Sequence, residues 1–218
     1  MPKIIELINI SKSYDQGGSI ISVLENLSMN VNKGDFISIT GPSGSGKSTL
    51  LNIIGLIDTV DSGESFFFGK NSKDMSMKQE NLIRRNKLGF IYQSKNLFSD
   101  FTAVENVSMP QILIGKNKSD SFEYSKNILD KFGLGNRLNH LPKDLSGGEQ
   151  QRVAIARSVI NNPELIIADE PTGNLDIKTA SSVFDYLMDF IKSKNISLIM
   201  ATHNLDLTLR SDVEIKLN

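Results

Sequence analysis

Gly41-Pro42-Ser43-Gly44-Ser45-Gly46-Lys47-Ser48-Thr49 follows directly on the apolar run Phe36-Ile37-Ser38-Ile39-Thr40. The nine residues satisfy G-x-x-x-x-G-K-[ST], the spacing of a phosphate-binding loop. Their setting suits that reading: a strand-like segment leads in, and helical apolar spacing runs from Lys47 to about Ile57. Glycines allow a tight turn that aims successive backbone N–H groups at phosphate oxygens, and the N-terminus of the following helix adds a partial positive charge. Gly41, Ser43, Gly44, Gly46, Lys47, Ser48 and Thr49 are therefore candidates for nucleotide binding. Lys47 is expected to reach the β- and γ-phosphates and Ser48 to coordinate magnesium. A Gly/Ser-rich turn that matches by chance has odds of roughly one in a hundred in a chain of ordinary glycine content.

Outward from the loop, strand-like runs are expected at Ile4 to Ile10, Val23 to Val31 and Ser65 to Phe68. The segment from about Ser94 to Val159 has helical spacing, clearest at Lys126 to Phe132 and Glu149 to Ile160, and reads as a helical insert. Strand and helix then alternate again: Leu165 to Ala168, an amphipathic helix through Val183, Leu187, Phe190 and Ile191, and Ser197 to Ala201. Strand, crossover helix, strand in this order predicts an α/β fold with helices packed on a parallel sheet.

Leu165-Ile166-Ile167-Ala168-Asp169-Glu170 is an apolar strand ending in two carboxylates. Alone it reads as well as a strand with a solvated acidic turn. Beside a phosphate loop, Asp169 becomes the expected partner of the magnesium shell and Glu170 the group that orients or deprotonates water. Leu145-Ser146-Gly147-Gly148-Glu149-Gln150-Gln151-Arg152 opens a helix, and Ser146 with Glu149 has capping-box spacing. A cap needs no glycine pair, whereas Gly147 and Gly148 leave a helix N-terminus open to an anion. Both readings stand together. A second phosphate site in one chain predicts a head-to-tail pair of chains sharing two nucleotides.

With 218 residues, 39% hydrophobic and 22% charged, the chain has enough apolar content for one domain with a real core. The net charge of −1 and the absence of any basic run longer than Arg84, Arg85 and Lys87 argue against a nucleic-acid partner. No cysteine is present, and Glu6 interrupts the first apolar stretch before a signal-like run develops, so a reducing, cytoplasmic setting is expected. Leu50 to Ile57 is too short to span a bilayer, so membrane contact is expected only through partners, with no direct insertion.

Three motifs in this order resemble those of the ATP-binding cassettes of ABC transporters, and the resemblance covers essentially the whole chain. Gly41 to Thr49 looks like Walker A, Leu165 to Glu170 like Walker B with its catalytic glutamate, and Leu145 to Gln150 like the signature motif. The resemblance implies a P-loop NTPase fold with a RecA-like parallel core, an N-terminal antiparallel β subdomain and a helical subdomain. The single domain 1–218 would divide into core and β subdomain, 1–93 and 160–218, around a helical insert at about 94–159. It implies ATP and Mg2+ as ligands and a homodimer whose signature residues Ser146, Gly147, Gly148 and Glu149 meet the partner's ATP. Tyr14 matches the aromatic that stacks on adenine, and Gln93 the Q-loop glutamine at the magnesium site. Asp176, in Asn174-Leu175-Asp176, matches the D-loop, and His203 the switch histidine at the γ-phosphate.

Gly89 to Gln93, Leu97 to Val107, Leu134 to Pro142 and Gly173 to Asp176 are similar to the lipoprotein-releasing subfamily. That similarity implies ATP-driven extraction of lipoproteins toward a periplasmic carrier, with integral membrane permease subunits of the LolC/LolE kind. The cassette would then sit peripherally on the cytoplasmic face of a bacterial inner membrane. Lys95 and Asn96 stand where that subfamily commonly has two histidines, and Ser99 where it has a proline. Related readings are a cell-division cassette with a regulatory role and a macrolide-exporter-type ATPase, which is normally fused to a membrane segment that is not seen here.

Overall fold

The computed structural model describes residues 3–218. Strands β1 (Lys3–Gln16) and β2 (Ser19–Asn32) form a long antiparallel hairpin. Gly17 and Gly18 close it with φ of +66° and +89°, the left-handed pair that a two-residue hairpin turn demands. Both strands extend beyond their apolar portions, because Ser13 to Gln16 and Ser19 to Ser22 rise clear of the core and bury little. β4 (Ser62–Phe67) and β5 (Lys70–Asn71) complete this sheet in the order β2-β1-β4-β5.

The second sheet is entirely parallel. β3 (Phe36–Thr40), β6 (Leu88–Ile91), β7 (Leu165–Asp169), β8 (Ser197–Ala201) and β9 (Val213–Lys216) lie in the order β6-β7-β8-β3-β9. The three inner strands were anticipated; the two edge strands were not, being four residues each, with Gly89 interrupting one and the other largely exposed. Side chains alternate between two cores. Ile37, Ile39, Leu165, Ile167 and Ile199 pack with α1 (Lys47–Ile54) and the antiparallel sheet. Phe36, Ile166, Ala168, Leu198 and Met200 pack with α5 (Gly147–Val159) and α6 (Ile177–Lys194). Burial on both faces is why these strands read as unbroken apolar runs.

Helix α1 stops at Ile54, short of the expected Ile57, because Gly55 caps it and Leu56 turns left-handed at φ +55°. The Leu56 carbonyl accepts from the guanidinium of Arg84 in α2 (Met77–Lys87), a helix with no buried residue and hence no legible apolar stripe. Helices α3 (Ala103–Leu113), α4 (Lys118–Lys131) and α5 pack on one another. Buried Asn106 pins the loop before α3 through the backbone of Phe98, Phe101 and Thr102. A short helix α7 (Leu205–Thr208) follows β8.

Close packing of β6 on α5 makes a test. A Cβ at Gly89 would lie 2.4 Å from the Ser158 carbonyl oxygen. Neither backbone can retreat alone, so Gly89→Ala is expected to cost about 2–4 kcal/mol, seen as a lowered thermal unfolding midpoint. An unchanged midpoint would mean that the strand and helix separate freely.

Candidate functional site

In an open parallel sheet, ligands bind beyond the carboxyl ends of the strands. Here four neighbouring strands deliver the expected residues to that edge in a row: β6 leads to Gln93, β7 to Asp169 and Glu170, β8 to His203, and β3 to the phosphate loop. The strand ends are tied together, with Glu170 N–H donating to Ala201 O at 3.0 Å and Thr202 N–H to Ile39 O at 3.2 Å.

The loop's glycines answer to close contacts. Gly46, at φ +91°, faces β2, where a Cβ would meet the Val23 carbonyl oxygen at 2.9 Å. Gly41, at φ +148°, lies under the Leu217 carbonyl, 2.4 Å from where a Cβ would be. Ser43 and Gly44 are exposed at the loop's crest. Lys47 is buried and folds back over the loop, its Nζ donating to Gly41 O and Pro42 O at 2.8 Å each. An ammonium has three donors, so one remains for an anion. Ser48 Oγ donates to Asp169 Oδ2 at 3.1 Å. Among the described residues no cluster of three His, Cys, Asp or Glu side chains forms a metal site. A hydroxyl beside one carboxylate instead suits magnesium, a hard cation that takes its remaining oxygens from phosphate and water.

Glu170 has φ +47°, uncommon for a side-chain-bearing residue, and is held there by its own N–H on Ala201 and by Gly173 N–H on its carbonyl. Burial pushes its carboxyl above the usual range and Asp169 adds to this, while His203 and Lys47 pull the other way. His203 Nε2 stands 3.5 Å from Glu170 Oε1, and that oxygen is buried without a hydrogen-bond partner among the described residues. A partly buried carboxylate with a raised pKa and an unused acceptor is what a general base needs.

Gln93 lines one cavity with Glu170 and His203, whereas Ser146, Glu149 and Asp176 belong to helix ends. Gln93 Nε2 donates to Asn174 Oδ1, and Asn174 Nδ2 returns a bond to Gln93 O, both at 3.3 Å. No hydrogen bond joins Gln93 to Ser48 or Asp169 among the described residues. Ser146 caps α5 through Glu149 N–H, and Glu149 accepts from Ser146 N–H at 2.8 Å and Arg137 Nε at 2.9 Å. The Ser146 N–H, and then Arg137, lower the Glu149 carboxyl to about 2. Glu149 is thus turned to its own helix end and to Arg137. Gly147 is exposed, but Gly148 is buried, and a Cβ there would strike Thr179 Cγ2 at 2.5 Å. The second glycine therefore serves close approach of α6 as well as any anion. Asp176 caps α6, accepting from Thr179 N–H at 3.0 Å, and bonds to Thr179 hold its carboxyl below the usual range.

Tyr14 is half-exposed, and its hydroxyl donates to Asp58 Oδ2 at 2.6 Å. Two residues that sequence reasoning passed over come to light here. Lys12 is a buried lysine bonded to Asp58 Oδ1 at 2.9 Å and Thr59 O at 2.8 Å. Arg157 donates to the carbonyls of Asn96 at 2.8 Å and Lys95 at 2.9 Å, tying the segment after Gln93 to α5. For Lys12 the only local signal is its period-2 spacing from Tyr14 in one strand; Arg157 has none, since its partners are backbone atoms far away in sequence.

The comparisons agree with this geometry. The family described as ABC transporter matches residues 24–173. The lipoprotein-releasing system ATP-binding protein LolD of Rickettsia bellii is 52% identical over 215 residues, 99% of this chain and 95% of that protein. LolD of Rickettsia felis is 49% identical over 98% of this chain and 95% of its own length. A dimeric structure of the bacterial ABC transporter cassette MJ0796 superposes with a TM-score of 0.89 at 39% identity, covering 98% of this chain and 94% of that one. A post-hydrolysis structure of the same cassette bound to ADP and Pi gives the same TM-score at 38% identity, with the same coverage. Family match, near full-length identity and superposition all agree with a phosphate loop and carboxylates at one sheet edge, and the chain belongs to the ABC transporter family as an ATP-binding cassette.

Proposed function

We propose that this ATPase is the energy-supplying subunit of a lipoprotein-releasing transporter, which moves outer-membrane-directed lipoproteins from the inner membrane to a periplasmic chaperone. The observation that carries the reading is the near full-length identity to LolD proteins. The cassette works at the cytoplasmic face of the inner membrane on permease subunits of the LolC/LolE kind. No helix among the described residues is long and apolar enough to cross a membrane. A groove of about 250 Å³ offers the permease a seat, lined by Arg85, Leu88, Phe90, Tyr92, Leu113 and Arg157. Phe90 and Tyr92 stack within it, and Leu113 is 64% exposed at its rim. Residues 94–159, which carry α3 to α5, serve as the helical subdomain, and 1–93 with 160–218 as the core and β subdomain.

In the mechanism we infer, backbone N–H groups of Gly44 and Gly46 with Lys47 bind the phosphates, and the Tyr14 ring stacks on the base. Ser48, with Asp169 behind it and Gln93 beside the site, would hold magnesium, which would supply charge neutralisation to the phosphates. Glu170 accepts a proton from the attacking water, and His203 beside it donates toward the γ-phosphate. Two cassettes pair head to tail, so that the Ser146–Gly148 end of α5 from one meets the γ-phosphate on the other, with Asp176 between them. Hydrolysis removes that shared charge and the pair reopens.

Co-purification from gently solubilised native membranes tests the transport assignment. One or two permeases with few spans and a large periplasmic domain are expected with the tagged cassette, releasing lipoproteins when ATP is added. Recovery of division proteins would overturn the assignment and leave the ATPase standing.

A further inference from the structure

The loop after α1 and the strand that carries Tyr14 are joined by more bonds than strand pairing requires. Asp58 Oδ2 accepts the Tyr14 hydroxyl at 2.6 Å, and Asp58 Oδ1 accepts Lys12 Nζ at 2.9 Å. Lys12 also donates to Thr59 O at 2.8 Å and pairs with Asp61 at 3.4 Å, and Ser13 N–H donates to Asp61 Oδ2 at 2.7 Å. The Lys12 ammonium lies 5.1 Å from the centroid of the Tyr14 ring, so one face of that ring is taken by a cation. A buried lysine between two carboxylates and a carbonyl is an anchored group rather than a solvated one.

Position adds meaning to these bonds. Helix α1 begins in the phosphate loop at Lys47 and ends at Ile54, and its eight residues span about 12 Å. Asp58 comes after Gly55, Leu56 and Ile57, and Asn52 O of the helix accepts its backbone N–H at 3.2 Å. One short helix thus fixes both the phosphate cradle and the partner of the aromatic ring.

We propose that Asp58, backed by Lys12, is a positioning residue for nucleotide binding, locking the Tyr14 ring at a set distance from the phosphate loop with one face presented to the base. The proposal rests on Tyr14 being the base-stacking ring. Asp58 does not touch the nucleotide; it acts through the phenol oxygen, and Lys12 closes the ring's other face.

KM and kcat for ATP hydrolysis should be measured for the wild type, Tyr14→Phe, Asp58→Asn, the double variant and Tyr14→Ala. Tyr14→Phe keeps the ring and loses the bond to Asp58, and KM is expected to rise about threefold to tenfold, with the loss in KM rather than kcat. Asp58→Asn should raise KM as well, and the double variant should be no worse than the poorer single variant, since both break one linkage. Wild-type KM in Tyr14→Phe, or additive losses in the double variant, would overturn the proposal. If Asp58→Asn fails to fold, Tyr14→Phe decides alone. A wild-type KM in Tyr14→Ala would instead remove the base-stacking reading itself, and the two failures are thereby distinct.

Discussion

Glu170→Gln retains nucleotide binding and loses turnover, with kcat expected to fall about 10²- to 10⁴-fold, the range for losing a general base. The substitution keeps the side chain's size and its backbone position at φ +47°, so the neighbouring strand ends have no reason to shift. What it removes is a carboxylate whose proton affinity is raised by burial and by Asp169, and whose Oε1 has no hydrogen-bond partner among the described residues. ATP is then bound and not consumed, and the pair of cassettes that shares it persists. Size-exclusion chromatography with ATP should show a stable dimer for the variant and a transient one for the wild type. Wild-type turnover in Glu170→Gln would take the proton-accepting role away from this residue, and His203 would be the next group to examine.

Lys47→Ala fails one step earlier. Two carbonyls, those of Gly41 and Pro42, lose the ammonium that holds the loop closed, and the phosphates lose their charged donor. A hydrogen bond from a charged group contributes about 1.5–3 kcal/mol, so ATP affinity should fall roughly tenfold to a hundredfold by calorimetry. Hydrolysis should fall further, about 10²-fold or more at saturation, because in the loose transition state charge develops on the leaving oxygen between the β- and γ-phosphates, which Lys47 is proposed to reach. An equal ATP affinity in the variant and the wild type would show that backbone N–H groups alone hold the phosphates. The two variants therefore separate in order: one binds and does not turn over, the other binds poorly.

Much of this was legible from the residues because the inner strands are buried on both faces. Ile37, Ile39, Ile166 and Ile167 have apolar neighbours whichever way they point, so their runs are continuous and end where the chemistry begins. The same logic explains the omissions. Edge strands β6 and β9 are short, and α2 buries nothing, so neither period 2 nor period 3.6 shows. Charged anchors were harder still. Lys12 and Asp58 are 46 residues apart, and nothing near either predicts that a lysine in a strand will be buried. Gly148 carried two messages in one residue, an open helix end and a close contact with Thr179, and only the first could be read from spacing.

Arg157 and Ser146 stand near opposite ends of α5, about 16 Å apart along its axis. At one end the guanidinium grips the carbonyls of Lys95 and Asn96, beside the groove proposed as the permease's seat; at the other, Ser146 caps the end proposed to meet the partner's phosphate. A helix is stiff along its length, so on the proposed function α5 would be a pushrod, taking load from the permease at Arg157 and delivering displacement at Ser146. Cutting the grip while keeping the charge, as in Arg157→Lys, would leave each cassette an ATPase and uncouple its stroke from the membrane.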